Sequence, residues 1–391
     1  MNSPAAGSTA VHSSVYAPTS PTPTSEVPVI DRERLVRTFL ELVHIDSPSG
    51  EEDAIAAELV RRFQSLGWEA QQDAFGNVIA RVSGTGEPVL LSAHMDTVEP
   101  GRGIRPRFDG PDIIRSDGTT ILGADDKAGC AVILEVASSL REDGGPHRPV
   151  EVAITRGEEV GLVGARHLDP AAFRARTAIV IDSGGPPSNV QGQAPYHYTY
   201  DVEVHGKAAH AGVEPEKGVP AISIAAELVT RLPQGRLDAD TTANVGRIVG
   251  GTVRNAVPDF CRVEGEFRSM NPARAEDLAA HVRTAVEDMR ARHPDARIEL
   301  DLRLEYAGYT LADDDPAVQL LFPVLRDLGF EPQPRPLGGG TDGNILRGFG
   351  IASVVIGRGG YAQHTKEEYL VIPEMVDCAR VVEAVLRRVE V

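Results

Sequence analysis

An α/β fold interrupted by a smaller inserted α+β domain is what this 391-residue sequence predicts, on three observations. Segments such as PVLLSA, VEVAIT and TAIVI are almost continuously apolar, which marks strands covered on both faces. Helical patterns separate them, and strands alternating with helices build a mixed, mainly parallel sheet. Between residues 191 and 306 the texture changes to strand, helix, strand, strand, helix, strand, a βαββαβ or ferredoxin-like pattern. The length also exceeds one ordinary core, at roughly 100–200 residues per domain.

Taken in order, residues 1–28 are rich in Ser, Pro, Thr and Ala and read as a disordered tail. They carry no basic stretch followed by an apolar one, so they do not read as a secretion signal. Asp31 is expected to cap a helix whose apolar positions Leu35, Phe39, Leu42 and Val43 recur at helical spacing. Ser49 is expected to cap the next, with Glu52 completing a capping box and Gly67 ending it. WEAQQD, NVIARVS and PVLLSA then read as strands. The Glu99–Leu122 loop holds many Gly, Pro and Asp residues, with a hairpin around FDGPDIIRSDG. LGADDKAG opens an apolar helix, Ala128–Leu140. VEVAIT, a short helix after Gly161, and TAIVID follow. SGGPPSNVQGQAP reads as a hinge.

In the inserted region HYTYDVEVHG, TANVGRIVGG, CRVEGEFRSM and RIELDLRLEY are strands, and Val219–Leu232 and Ala273–Arg292 are helices. Beyond it come a helix (Pro316–Leu328), a Gly-rich loop, the strand IASVVIG, a His-bearing loop and a last helix from Pro373. The expected division is therefore a tail over 1–28, a larger domain over 29–190 and 307–391, and an inserted domain over 191–306.

Composition narrows the function. The net charge of −18 repels phosphate backbones and excludes nucleic acid as a partner. No apolar run approaches the ~20 residues that a membrane helix needs. The three Cys residues lie far apart in apolar surroundings, which fits a reducing, cytoplasmic setting rather than a disulfide framework.

Sites in open α/β sheets form beyond the carboxyl ends of the strands. PVLLSA runs into His94 and Asp96. VEVAIT runs into Glu158 and Glu159, TAIVI into Asp182, and IASVVIG into the loop with His364. The LGADDKAG loop adds Asp125 and Asp126. Carboxylates gathered this closely raise one another's pKa and call for a compensating cation. Imidazole and carboxylate together suit zinc, and two such ions sharing a bridging carboxylate can activate a water. His94 can bind metal while Asp96 accepts its other ring N–H.

SAHMDTV, SDGTTILGADDKAG, TRGEEVG, IDSGG, HGKAAHAG, GGTVRNAVPD, GGGTDGN and GGYAQHTKEEY occur in this order from about residue 30 onward. On these motifs the sequence resembles the zinc-dependent M20 metallopeptidases, and most of all their peptidase T (tripeptidase) branch. The resemblance implies a zinc-exopeptidase-like catalytic domain with a lid and dimerisation domain inserted. It implies that His94 and Asp182 hold one metal, that Glu159 and His364 hold the other, and that Asp125 bridges them. Asp96 would orient His94, and Glu158 would be the general base. A cis peptide is implied between Asp125 and Asp126. His210 would stabilise the oxyanion from the other subunit of a homodimer. Asn255 and Arg268 would bind polar groups of the substrate, and the Gly338–Gly340 run with Thr341 would let backbone approach it.

The implied activity is removal of the N-terminal residue of short peptides with two Zn2+ per chain; Co2+ or Mn2+ would also suit the donors. The same ligand set would serve an aminoacylase or other amidohydrolase acting on N-acyl amino acids. A non-catalytic metal- or peptide-binding protein on the same fold is the third alternative, against which the retention of Glu158 counts.

Overall fold

The computed structural model describes residues 30–389, so the tail expected over 1–28 lies outside the described residues. Helix α1 (Arg32–Val43) begins where Asp31 accepts the Arg34 N–H at 3.0 Å. Its stripe of Leu35, Phe39, Leu42 and Val43 is fully buried, each side chain stabilising the fold by roughly 1.5–3 kcal/mol. Helix α2 (Asp53–Ser65) departs from the expected capping box: its N-cap is Glu52, with no side-chain cap bond. Ser49 instead donates its hydroxyl to Asp96 at 2.6 Å. Glu52 pairs with Arg156 at 2.7 Å. A charged partner binds a buried carboxylate more strongly than a backbone N–H does, so both residues serve the site.

The chain continues through β1 (Glu69–Gln72), β2 (Val78–Val82), β3 (Val89–His94) and the hairpin β4 (Arg107–Phe108) and β5 (Ile113–Arg115). Then come α3 (Ala124–Asp143), β6 (Val150–Thr155), α4 (Val163–Arg166), β7 (Thr177–Gly184) and β8 (Asn189–Ala194). The second unit holds β9 (Tyr196–His205), α5 (Ala221–Val229), β10 (Gly235–Asp238), β11 (Thr241–Gly250), β12 (Phe260–Ser269), α6 (Pro272–Arg292) and β13 (Arg297–Tyr306). The return passes through β14 (Tyr309–Thr310), α7 (Pro316–Asp327), β15 (Gln333–Pro336), α8 (Asp342–Gly348), β16 (Ala352–Tyr361), β17 (Tyr369–Val371) and α9 (Ile372–Arg387).

The larger sheet has 12 strands, in the order β1-β2-β6-β3-β7-β16-β17-β5-β4, with β8, β14 and β15 joined at the side of β16. Its centre, β6-β3-β7-β16, is parallel. Successive side chains of a strand face opposite ways. Val89 and Leu91 therefore pack under α1, α3 and α9, and Leu90 packs with Leu162 and Leu346 on the other face. Burial on both faces is why these strands read as unbroken apolar runs.

The second sheet is antiparallel, in the order β10-β11-β12-β9-β13. Helices α5 and α6 cover one face and share with it a separate core that includes Val202, Val263, Leu228 and Val282. Strand β10 is a short addition to the expected βαββαβ pattern.

The stretch expected to be a hinge is sheet instead. Strand β7 runs through Gly184, and β8 pairs with β14, β15 and β16. A Cβ on Gly192 would lie 2.8 Å from Pro334 Cβ. Small residues here permit close strand packing, which composition alone does not distinguish from a flexible linker.

Candidate metal centre

The carboxyl ends of the parallel strands meet at one place. Strand β3 delivers His94 as its last residue, β7 carries Asp182, and the turn after β6 carries Glu158 and Glu159. The loop between β16 and β17 carries His364, and the turn opening α3 presents Asp125. The Asp125–Asp126 peptide is cis. Glu368 holds this turn: its carboxylate accepts the N–H groups of Leu122 at 2.7 Å, Gly123 at 2.8 Å and Asp125 at 3.0 Å.

Two donor sets share Asp125. On one side His94 Nε2 lies 3.0 Å from Asp125 Oδ1 and 3.6 Å from Asp182 Oδ1. On the other, His364 Nε2 lies 3.0 Å from Glu159 Oε1 and 3.5 Å from Asp125 Oδ2. Within each set the donor atoms lie inside 4.8 Å of one another. Glu159 Oε1 is buried and, although close to His364, makes no hydrogen bond of good geometry.

The imidazoles show the same demand for positive charge. Burial opposes protonation of His94, yet the adjacent carboxylates of Asp125, Asp182 and Asp96 prevail and raise its pKa well above the usual value. His364 is raised to about 10 by the neighbouring carboxylates of Asp125 and Glu159. A divalent ion competes for the same lone pairs as these protons. The donor chemistry therefore fits a pair of divalent cations.

Glu158 lies beside both donor sets, with a carboxylate oxygen within 4.8 Å of ligand atoms of His94 and Glu159. Burial pushes its carboxyl pKa well above the usual range, and the charges of Asp182, Asp342 and Glu159 push the same way, against the opposing pull of His94. A carboxyl group tuned upward beside a cluster of ligands is suited to move protons.

Asp96 sits differently from expectation. The hydrogen bond from His94 Nδ1 goes to the Asp96 backbone carbonyl at 3.1 Å, while the carboxylate is 3.4 Å from that nitrogen. The carboxylate accepts the backbone N–H groups of Glu158 at 3.0 Å and Glu159 at 3.2 Å. It thus touches the imidazole and also fixes the turn that bears the Glu pair. Glu52 reinforces this turn by accepting the Gly157 N–H at 3.0 Å.

A cavity of about 400 Å³ opens over the cluster. The larger domain contributes Gly340 and Thr341 to its wall; the second sheet contributes His197, Arg268 and Tyr306. Arg268 donates to the Gly338 carbonyl at 3.1 Å and to Glu266 at 3.1 Å. Gly340 packs so closely on the Tyr306 ring that a Cβ would lie 2.2 Å from it. His210 and Asn255 are exposed and do not line this cavity. His210 Nδ1 accepts the Gly212 N–H at 3.2 Å.

Sequence reasoning passed over His197, Tyr306, Glu368 and Arg358. Arg358 had a visible signal: it is the one charged residue in the strand ASVVIGRGGY. It is fully buried and lies 2.6 Å from Asp125 and 2.8 Å from Asp126.

Comparison with known proteins agrees with this geometry. Residues 90–388 match peptidase family M20/M25/M40. The Bacillus subtilis protein YqjE is 37% identical over 368 residues, covering 92% of this chain and 99% of that protein. Among solved structures, the aminopeptidase PepT of Bacillus cereus superposes with a TM-score of 0.80 at 37% identity. A Staphylococcus aureus tripeptidase superposes with a TM-score of 0.82 at 35% identity. Each of these two matches covers 92% of this chain and 99% of the other. A match over most of the chain, with carboxylates and imidazoles converging at the strand ends, leads to one conclusion: the chain belongs to peptidase family M20/M25/M40.

Proposed function

We propose that the protein is a dinuclear zinc exopeptidase that removes the N-terminal residue of short peptides. The observation that carries this reading is the Asp125 carboxylate shared by two His-containing donor sets, with Glu158 beside them in the cavity wall. His94 and Asp182 would hold one ion, Glu159 and His364 the other, and Asp125 both. When bound, such a pair supplies an acidified water and a polarised scissile carbonyl. Glu158 would accept the proton of the attacking water at its carboxylate and pass it to the departing amine nitrogen. Asp96 would hold the Glu158–Glu159 turn and the His94 ring in register. Arg268 would bind a substrate carboxylate, and the backbone at Gly340 and Thr341 would lie against the peptide. The names of the Bacillus cereus and Staphylococcus aureus relatives support the substrate class.

A homodimer through the second sheet is part of this reading. Strand β10 pairs only with Thr241–Ala243 of β11, so the rest of β11 has one edge without a strand among the described residues. Ile248 and Val249 on it are 50% and 47% exposed. An open, apolar edge is suited to pairing with a second copy. In such a dimer His210 and Asn255 would serve the partner's cavity, His210 by donating to the developing oxyanion. A cytoplasmic setting is supported by three buried cysteines without disulfides. No helix among the described residues is long and apolar enough to cross a membrane.

The test is metal content together with hydrolysis of di-, tri- and N-acylated peptides, with and without chelator. Two zinc ions per chain and chelator-sensitive release of N-terminal residues are expected. Activity confined to N-acyl compounds would replace the exopeptidase with an aminoacylase.

A further inference from the structure

Arg358 is the largest of the fully buried side chains among the described residues, and the proposed chemistry does not use it. It enters the site from β16, behind the ligands. Its Nε donates to the Ala124 carbonyl at 3.2 Å and lies 2.8 Å from Asp126 Oδ1. Its Nη2 is 2.6 Å from Asp125 Oδ1, and its Nη1 is 3.5 Å from Asp182 Oδ1. These two oxygens are the ones that face His94. On the opposite side, Asp125 Oδ2 and Glu159 Oε1 face His364, and Glu159 makes no ion pair with an arginine among the described residues. Nη1 and Nη2 make no hydrogen bond of good geometry, so charge rather than directed bonding couples them to these carboxylates.

A guanidinium stays protonated at every working pH. It therefore repels a second cation a few ångströms away permanently, and burial strengthens that repulsion. It also supplies part of the positive charge that Asp125, Asp126 and Asp182 need when no ion is bound. We propose that Arg358 is a built-in counter-cation that makes the two metal positions unequal. The His94–Asp125–Asp182 position holds its ion more weakly, and loading begins at Glu159–Asp125–His364. Arg358 is thus a positioning residue for metal loading. The inference rests on the dinuclear reading above.

The test is calorimetric titration of Zn2+ into chelator-stripped protein, with Co2+ absorption spectra as a second readout of coordination. Wild-type protein should bind in two steps separated by at least about tenfold in affinity, a gap equivalent to about 1.4 kcal/mol. Saturation of one position only, at accessible Zn2+, is the limiting form of the same result. Arg358→Met should tighten the weaker step by about tenfold or more and narrow the gap, while Arg358→Lys, which keeps the charge, should preserve most of it. In His364→Ala the tight step should be the one lost. Equal weakening of both steps in Arg358→Met is what a purely structural role would give, and it would overturn the proposal. So would an unchanged gap. If Arg358→Met does not fold by circular dichroism, Arg358→Gln takes its place, with the same two readings. Wild-type protein with two equal steps overturns this inference alone; wild-type protein that binds no ion overturns the dinuclear reading beneath it.

Discussion

The two sheets handle charge in opposite ways. At the strand ends of the larger sheet, His94, Asp96, Asp126, Glu158 and Arg358 are buried, and backbone N–H groups and ion pairs hold the carboxylates in place. On the second sheet, charges sit in cross-strand pairs facing water, such as Arg303–Asp201 at 2.8 Å and Arg247–Glu264 at 3.0 Å. Buried charges are costly to assemble and persist where chemistry needs them. Exposed pairs contribute about 0–1 kcal/mol each and leave a surface able to meet solvent or another chain. The difference teaches that the larger sheet fixes its reactive groups in advance, whereas the second sheet contributes by how it is placed.

Glu158→Ala should sharpen this contrast most. Ion binding should persist and turnover should fall about 10²–10⁴-fold, the usual worth of a positioned proton-transfer group. Unchanged turnover would assign the base elsewhere. Next in size is Glu52→Ala, which leaves the Gly157 N–H without its acceptor and Arg156 with only its weaker contact to Asp53 as an ion pair. A loss of about 3–5 kcal/mol is expected. Arg303→Ala on the second sheet should cost about 0–1 kcal/mol. Denaturant melts of the two variants compare the regions directly, and similar losses would erase the distinction.

His210→Ala should lower kcat by about 10²–10³-fold, as loss of an oxyanion donor does. Ile248→Glu should give monomers by sedimentation and a similar fall in kcat. A fully active Ile248→Glu monomer would show that one chain is complete by itself. The smallest effect concerns Glu266, whose pKa is lowered to about 2, chiefly by its hydrogen bond with His197 and further by the charge of Arg268, against the effect of burial. A depressed carboxylate contributes stability that is fully present above its unfolded value, near 4.5. That contribution is lost as pH falls toward 2. Glu266→Gln should therefore narrow the drop in melting temperature between pH 5 and pH 3; an identical drop in both proteins would remove Glu266 from the acid response.

How much of this was legible depended on how local the cause is. His94, Asp182, Glu159 and His364 stood out because each is a donor just beyond an apolar run, and Asp125 because its loop opens a helix next to them; strand ends share an edge once the sheet is parallel. Asp96 was visible as a carboxylate, but its bonds to the Glu158 and Glu159 amides depend on a turn more than sixty residues away. Arg358 reads as an interruption in a strand, and only tertiary packing turns it toward Asp125. His197 and Tyr306 reach the cavity through the placement of one sheet over the other, which no local pattern encodes. The strands within SGGPPSNVQGQAP were not legible because strand-packing glycine and turn glycine look alike in sequence.

The pairing of β8 with β14 has a mechanical consequence. The chain leaves the larger sheet just after Ala194 and returns just before Tyr309, and these two residues are partners in one antiparallel ladder. Both tethers of the second sheet are thus fastened side by side. A body held at one such point turns about it more readily than it slides, so any change in its orientation would follow a narrow arc. Fewer orientations would mean less conformational entropy to surrender if the second sheet were to close over a bound peptide.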